Sequence, residues 1–182
     1  SIVLAIAIFM VLPYLISSLL ESFVRNNTIL AIIEGIIRLA IFVGYVVLIS
    51  AMEDIKRVYM YHGAEHKCIN CIEHGHVLNV YNVKKSSRLH RRCGTSFLLI
   101  VMLVSVVLFI FIRVDNPLLR LGLRLLLIPV IAGISYEVIR LAGRSNNFLV
   151  KIISAPGLLL QKLTTKEPTE DMIEVAIKSI EA

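Results

Sequence analysis

The chain has 182 residues, 57% of them apolar, and carries a formal charge of +6 from 19 basic and 13 acidic residues. Its mean hydropathy of +0.82 excludes an ordinary soluble domain and points to a multi-pass membrane protein. The basic excess comes without a helix-turn-helix or an aromatic stacking platform, so it indicates loops held at an anionic leaflet rather than nucleic acid.

Residues 1–20 contain no charge and are long enough, at about 20 residues, to cross a ~30 Å hydrocarbon core, with Pro13 as a kink point. They lack the basic leader and small-residue cleavage site of a signal peptide. The chain begins inside an apolar run without an initiator Met, as the later part of a longer protein would. A polar turn, 21–28, leads to a second span, Ile29–Ala51, which carries Glu34 and Arg38 at the i,i+4 spacing where opposite charges neutralise each other.

The polar segment 52–96 follows. It has no Pro and its first Gly is Gly63, so a helix can run out of the membrane towards a stop at Gly75. Gly63 is either a bend or a place where another part of the chain packs close. Asn79 can cap a short helix to about Ser87; a strand over Val77–Val83 competes with it. Phe97–Ile112 is the third span, with Thr95 or Ser96 as its cap. After the turn Arg113–Pro117, the fourth span, Leu118–Ile139, contains Arg120, Arg124, Pro129, Gly133 and Glu137. The two arginines snorkel or pair with an acidic group.

In the tail, Asn147–Leu163 is apolar but interrupted by Ser154-Ala155-Pro156-Gly157, which suits an interfacial or re-entrant segment. From Glu167 to Asp171 acidic residues complement a helix start. Ile173, Ala176, Ile177 and Ile180 then line one face of an amphipathic helix expected to pack on the 52–96 segment. Segment 52–96 holds eight Lys/Arg and the tail after 139 holds six, against Arg25 and Arg113 in the two opposite turns. That asymmetry places the polar segment and both ends in the cytoplasm. The expected fold is therefore all-α: a helix pair (1–51), a cytoplasmic His/Cys-rich helical segment (52–96), a second pair (97–140) and an interfacial tail (141–182).

All five histidines and all three cysteines fall within 61–93, YHGAEHKCINCIEHGHVLNVYNVKKSSRLHRRC. Its front is an H-x-x-E-H pattern, His62 to His66. On a helix the two imidazoles stand one turn apart on one face, roughly 5–6 Å between Cβ atoms, and can share a zinc ion or another divalent metal. Glu65, beside the second ligand, is the candidate base of an inverted zinc-peptidase motif. His90 and Cys93, spaced H-x-x-C, are the best candidates to complete the shell; Glu137 is a different third ligand. A His-His-Glu set keeps an open position and suits catalysis, whereas a set closed by His90 and Cys93 suits a structural metal. Lys67 or Arg92 can stabilise a developing oxyanion. His74 and His76 read as solvated turn residues. Cys68 and Cys71 form a C-x-x-C that is a redox pair, a metal clip or a small-residue packing face; an odd number of cysteines forms no disulfide framework.

The stretches DIKRVYMYHGAEHK (54–67), HRRCGTSFLLIV (90–101), GISYEVIRLAGR (133–144) and APGLLLQKLTTKEP (155–168), with EVAIKSI (174–180), resemble the YqhQ-like bacterial membrane proteins. The resemblance covers almost the whole chain. It implies a cytoplasmic-membrane location, a domain of unknown function described as a predicted metal-dependent enzyme, and a further N-terminal portion. The family pattern has Thr at position 68 and Pro at position 91, where this chain has Cys68 and Arg91, which argues against Cys68 as an essential ligand.

Three functions compete. One is a metal-dependent hydrolase at the cytoplasmic face of the bilayer. Another is a non-catalytic membrane protein whose metal or His/Cys cluster is structural, supporting a homo-oligomer or a membrane partner. The third is an ion or metal transporter, disfavoured because the ligands lie in a polar segment and not midway along the spans.

Overall fold

A computed structural model describes residues 2–24, 26–112, 114, 116–144 and 147–182. Arg25 and Arg113 lie outside the described residues. All regular structure among the described residues is helical. The chain divides into two compact units, 1–45 with 97–140 and 46–96 with 141–182.

In the first unit, α1 (Ile2–Ile6) and α2 (Leu12–Leu19) are joined by a widened π-helical turn over Ala7–Val11. The widening sits where Pro13 withdraws an amide and crowds the carbonyl of Phe9, the usual cause of a local bulge. Helix α3 (Asn27–Ser50) is capped by the Asn26 side chain, which accepts from the amides of Thr28 (2.9 Å) and Ile29 (3.3 Å). Phe9 meets Phe42 and Tyr45 edge-on, at centroid distances of 6.0 and 5.7 Å. Helix α6 (Gly94–Ile110) approaches α3 at Gly35, where a Cβ would lie 2.5 Å from a Val106 methyl. Helices α7 (Pro117–Leu126) and α8 (Ile128–Arg144) meet at a 41° bend beside Pro129, whose missing amide breaks the ladder.

Only part of the four-span expectation is met. Among the described helices α3 alone is long and apolar enough to cross a membrane, and α7 with α8 qualify only as one bent span. Helix α6 is apolar but has 17 residues, about 25 Å of rise against a ~30 Å hydrocarbon core. The apolar helix Val3–Leu19 is likewise short.

In the second unit, the chain breaks at Met52, in extended conformation, before α4 (Glu53–Glu73), so the expected continuous helix out of α3 does not form. Glu53 and Asp54 occupy the first turn of α4 and favour a fresh N-terminus there. The helix stops at Gly75 as its sequence suggests. Gly75 has φ +72°, and His76 and Gly75 donate back to the carbonyls of Cys71 (3.0 Å) and Ile72 (2.9 Å). Helix α5 (Val80–Lys85) replaces the competing strand because the Asn79 side chain accepts from the Asn82 amide at 2.9 Å.

Helix α9 (Phe148–Thr164) runs through Pro156 without the predicted interruption, and Gly157 brings it against Ser96, 2.7 Å from where a Cβ would sit. The strap 165–168 then crosses α4, so closely that a Cβ on Gly63 would lie 2.1 Å from the Lys166 carbonyl oxygen. Gly63 is thus a close-approach glycine and not a bend. Helix α10 (Glu170–Glu181) buries Met172, Ile173 and Ile177. Ile173 and Ile177 join Ala64, Cys68, Cys71 and Val83 in the core of this unit. Burial of each large aliphatic side chain contributes about 1.5–3 kcal/mol. Ala176 is partly covered, whereas Ile180 at the helix end stays 40% exposed.

Candidate metal centre

Helix α4 places His62 and His66 one turn apart, with ring centroids 4.3 Å apart. Each ring is fixed from behind by a backbone carbonyl. His62 Nδ1 lies 2.9 Å from the Thr164 oxygen, and His66 Nδ1 lies 2.8 Å from the Arg88 oxygen. A carbonyl only accepts, so both Nδ1 atoms carry a proton and both Nε2 atoms are left as the metal-capable nitrogens. The loop before α6 brings Cys93 Sγ to 3.3 Å from His62 Nε2, and the ligand atoms of His62, His66 and Cys93 all lie within 4.8 Å of one another. Tetrahedral zinc, with bonds of about 2.0–2.3 Å, separates neighbouring N and S ligands by roughly 3.5 Å. The His62–Cys93 separation matches that spacing, and two imidazoles with one thiolate form a donor set suited to zinc.

Burial raises the Cys93 thiol, but hydrogen bonds with His62, His66 and the Thr95 hydroxyl outweigh it and bring the thiol down to about 5. His62 is raised in turn, first by its bond to Cys93, against burial and with help from the Thr164 carbonyl. Cys93 is therefore a thiolate at neutral pH, the form that ligates metals. Cys68 is the opposite case: burial, with Cys71 and Glu65 nearby, pushes its thiol up to about 11. Cys68 and Cys71 are free thiols in the apolar core, and Cys71 Sγ faces the Val77 oxygen at 3.5 Å. The C-x-x-C is a packing face.

The structure does not gather every residue the sequence nominates. His90 is buried, but its Nε2 turns to Glu73 at 3.1 Å, and Glu73 also pairs with Arg92. The set closed by both His90 and Cys93 therefore does not assemble; only Cys93 of the H-x-x-C joins. Glu137 belongs to the other unit, on α8, where it is exposed and paired with Arg140 at 3.0 Å. Lys67 is tied to the carbonyls of Lys84 (2.9 Å) and Ser86 (3.0 Å) and to Glu167 (3.0 Å), so neither it nor Arg92 is a free oxyanion donor. His74 and His76 are exposed in the turn. Glu65 is exposed and, with His62, borders a cleft of about 540 Å³ whose walls include Val58, Tyr61, Val175 and Ile180.

Several contributors escape sequence reasoning. Gln161, fully buried, accepts from the His90 amide (2.9 Å) and donates to the His90 carbonyl (2.7 Å) and the Ser96 hydroxyl (2.6 Å). It holds the loop that delivers Cys93. The sequence offers Thr95 or Ser96 as a helix cap, yet the Thr95 hydroxyl lies 3.2 Å from Cys93 Sγ. Gln161 and Thr164 fall inside the stretch 155–168 that carries part of the family resemblance, the one signal that points to them. The Arg88 carbonyl leaves no trace in a side-chain pattern.

Over residues 1–182 the chain matches the family model described as protein of unknown function (DUF1385). It is 41% identical over 173 residues to a Bacillus subtilis (strain 168) protein described as uncharacterized protein YqhQ, a match covering 94% of this chain and 54% of that protein. The chain thus spans about half the length of this curated relative. No solved structure matches it.

Proposed function

We propose, for a chain that belongs to the DUF1385 family, that His62, His66 and Cys93 hold one zinc-like divalent ion and that this centre serves a membrane hydrolase. The single observation that carries the metal reading is the orientation of the two imidazoles. Each donates Nδ1–H to a carbonyl, leaving Nε2 beside the Cys93 thiolate. Backbone carbonyls fix histidine ligands in this way at metal sites. Three protein ligands leave a fourth position open, which favours catalysis over a closed structural site.

When bound, zinc supplies Lewis-acid polarisation of a carbonyl or phosphoryl oxygen. The chain's own part is to hold the donors dry and fixed, and to accept a proton. Glu65, next to His66 in sequence and bordering the cleft at His62, is the proton acceptor for an attacking water. The cleft with its largely apolar walls is where a substrate reaches it.

The fourteen-to-two basic asymmetry supports a multi-pass protein of the bacterial cytoplasmic membrane, with four spans and the centre on the cytoplasmic side. One observation favours the non-catalytic alternative: the same hydrogen bonds tie α4 to Thr164 and Arg88, as a structural staple would.

Elemental analysis of protein purified without chelator, alongside its variants, separates the readings. One equivalent of metal is expected in the parent and in Glu65→Gln, with loss of metal in His62→Ala, His66→Ala and Cys93→Ser. Glu65→Gln is expected to lower turnover about 10²–10⁴-fold. A metal-free parent overturns the metal reading. A metal-loaded Glu65→Gln with undiminished turnover removes Glu65 from the chemistry.

A further inference from the structure

We propose that the charge cluster buried in the first unit binds one small inorganic anion of halide size. Glu34 (4% exposed) sits between Arg38 (4%) and Arg124 (5%). Its Oε1 accepts from Arg38 at 2.8 Å and from Arg124 at 2.6 Å, and its Oε2 accepts from Arg124 at 2.8 Å. Among the described residues, one carboxylate thus faces two guanidinium groups, and a positive charge is left over.

The neighbours spread this charge without cancelling it. Both guanidinium carbons lie over the Phe109 ring, at 5.1 and 4.9 Å from its centroid, and Arg124 lies 5.5 Å from that of Tyr14. Arg38 donates to the Ser105 hydroxyl at 3.0 Å. A buried unbalanced charge is costly, so its presence in an apolar helical unit calls for a partner.

Two further observations point to a ligand. The Nε atoms of Arg38 and Arg124 are buried and have no hydrogen-bond partner among the described residues. A cavity of about 30 Å³ adjoins the cluster, lined by Glu34, Arg124, Tyr14, Ser17, Glu21 and Arg120 among others. Among the described residues, the other charged pair on its wall, Arg120 with Glu21 at 3.9 Å, is matched in sign and leaves the excess unchanged. That volume admits a particle of water size. A monatomic anion matches that space more closely than phosphate or a carboxylate does. Water would add no charge; a monatomic anion supplies the missing one.

The test uses purified full-length protein in detergent, prepared in gluconate and titrated with chloride or bromide at constant ionic strength. Melting temperature is expected to rise saturably with either halide and not with gluconate or sulfate, because a ligand of the folded state stabilises it in proportion to its occupancy. Arg38→Met removes the surplus charge while keeping the two-pronged Arg124–Glu34 pair. It should raise the apparent Kd for chloride more than tenfold. Identical melting of the parent in chloride and gluconate, or an unchanged halide response in Arg38→Met, overturns the site. Bromide-soaked crystals of the parent give a reading that does not depend on any variant folding: an anomalous peak beside Arg124 is expected, and water alone there overturns the proposal.

Discussion

Cys68 and Cys93 show how environment decides the chemistry of one side-chain type. Both are buried, yet one thiol is driven to about 11 and the other to about 5. The difference lies in hydrogen-bond partners: Cys93 has two imidazoles and a hydroxyl around its sulfur, whereas Cys68 lies in an apolar core. In metal-free protein the thiolate absorbance of Cys93 should therefore persist on acidification and disappear with a midpoint near pH 5. A Cys93→Ser control should lack that transition; a midpoint at the ordinary value near 9 in the parent would contradict the geometry. Because the folded-state value is depressed, the interaction stabilises the fold fully above the ordinary thiol range, and that contribution is lost as pH falls through about 5. Cys68→Thr is expected to keep the fold and the metal stoichiometry, since a helical Thr hydroxyl can bond back to the carbonyl four residues earlier. Metal loss in that variant, measured by elemental analysis, would make Cys68 a ligand.

At the scale of elements, the centre depends on two segments pressed onto α4. The end of α9 delivers the Thr164 carbonyl to His62, and the strap that follows it fits only because Gly63 has no side chain. Gly63→Ala should push the strap away, since the obstructing atom is backbone and cannot rotate aside. A stability loss of about 1–3 kcal/mol is expected, as for overpacking, together with weaker metal retention; chemical denaturation and a chelator-competition assay measure the two effects. Retention equal to the parent would show that the Thr164 contact does not position His62. The second segment is the loop that carries Cys93, clamped by Gln161 through both backbone groups of His90. Gln161→Ala strands those buried groups, each worth about 1–3 kcal/mol when unsatisfied. Its unfolding free energy should fall by more than that of Gly63→Ala.

On the scale of the whole molecule, the basic asymmetry predicts that single cysteines placed in 52–96 and 140–182, in a cysteine-free background, resist labelling by an impermeant reagent from outside intact cells. Labelling from outside would reverse the orientation. Some of the molecule was legible in the sequence because it depends on local periodicity. The one-turn spacing of His62 and His66, the stop at Gly75, the Asn79 cap, the Glu34–Arg38 pair and the apolar face of α10 all follow from backbone geometry within a few residues. Which side chain joins the two histidines was not legible. The spacing favours His90 and Cys93 together, with Glu137 as a different candidate, and only the path of a loop held by Gln161, 71 residues from His90, brings Cys93 forward and leaves His90 on Glu73. Likewise the i,i+4 pair looks neutral in sequence, and only packing adds Arg124, 90 residues away from Glu34, to make its charge unbalanced. Helix spacing is written locally because hydrogen bonds four residues apart enforce it. Which distant side chain completes a cluster is decided by close packing between segments, where a missing Cβ or one buried amide determines what can approach.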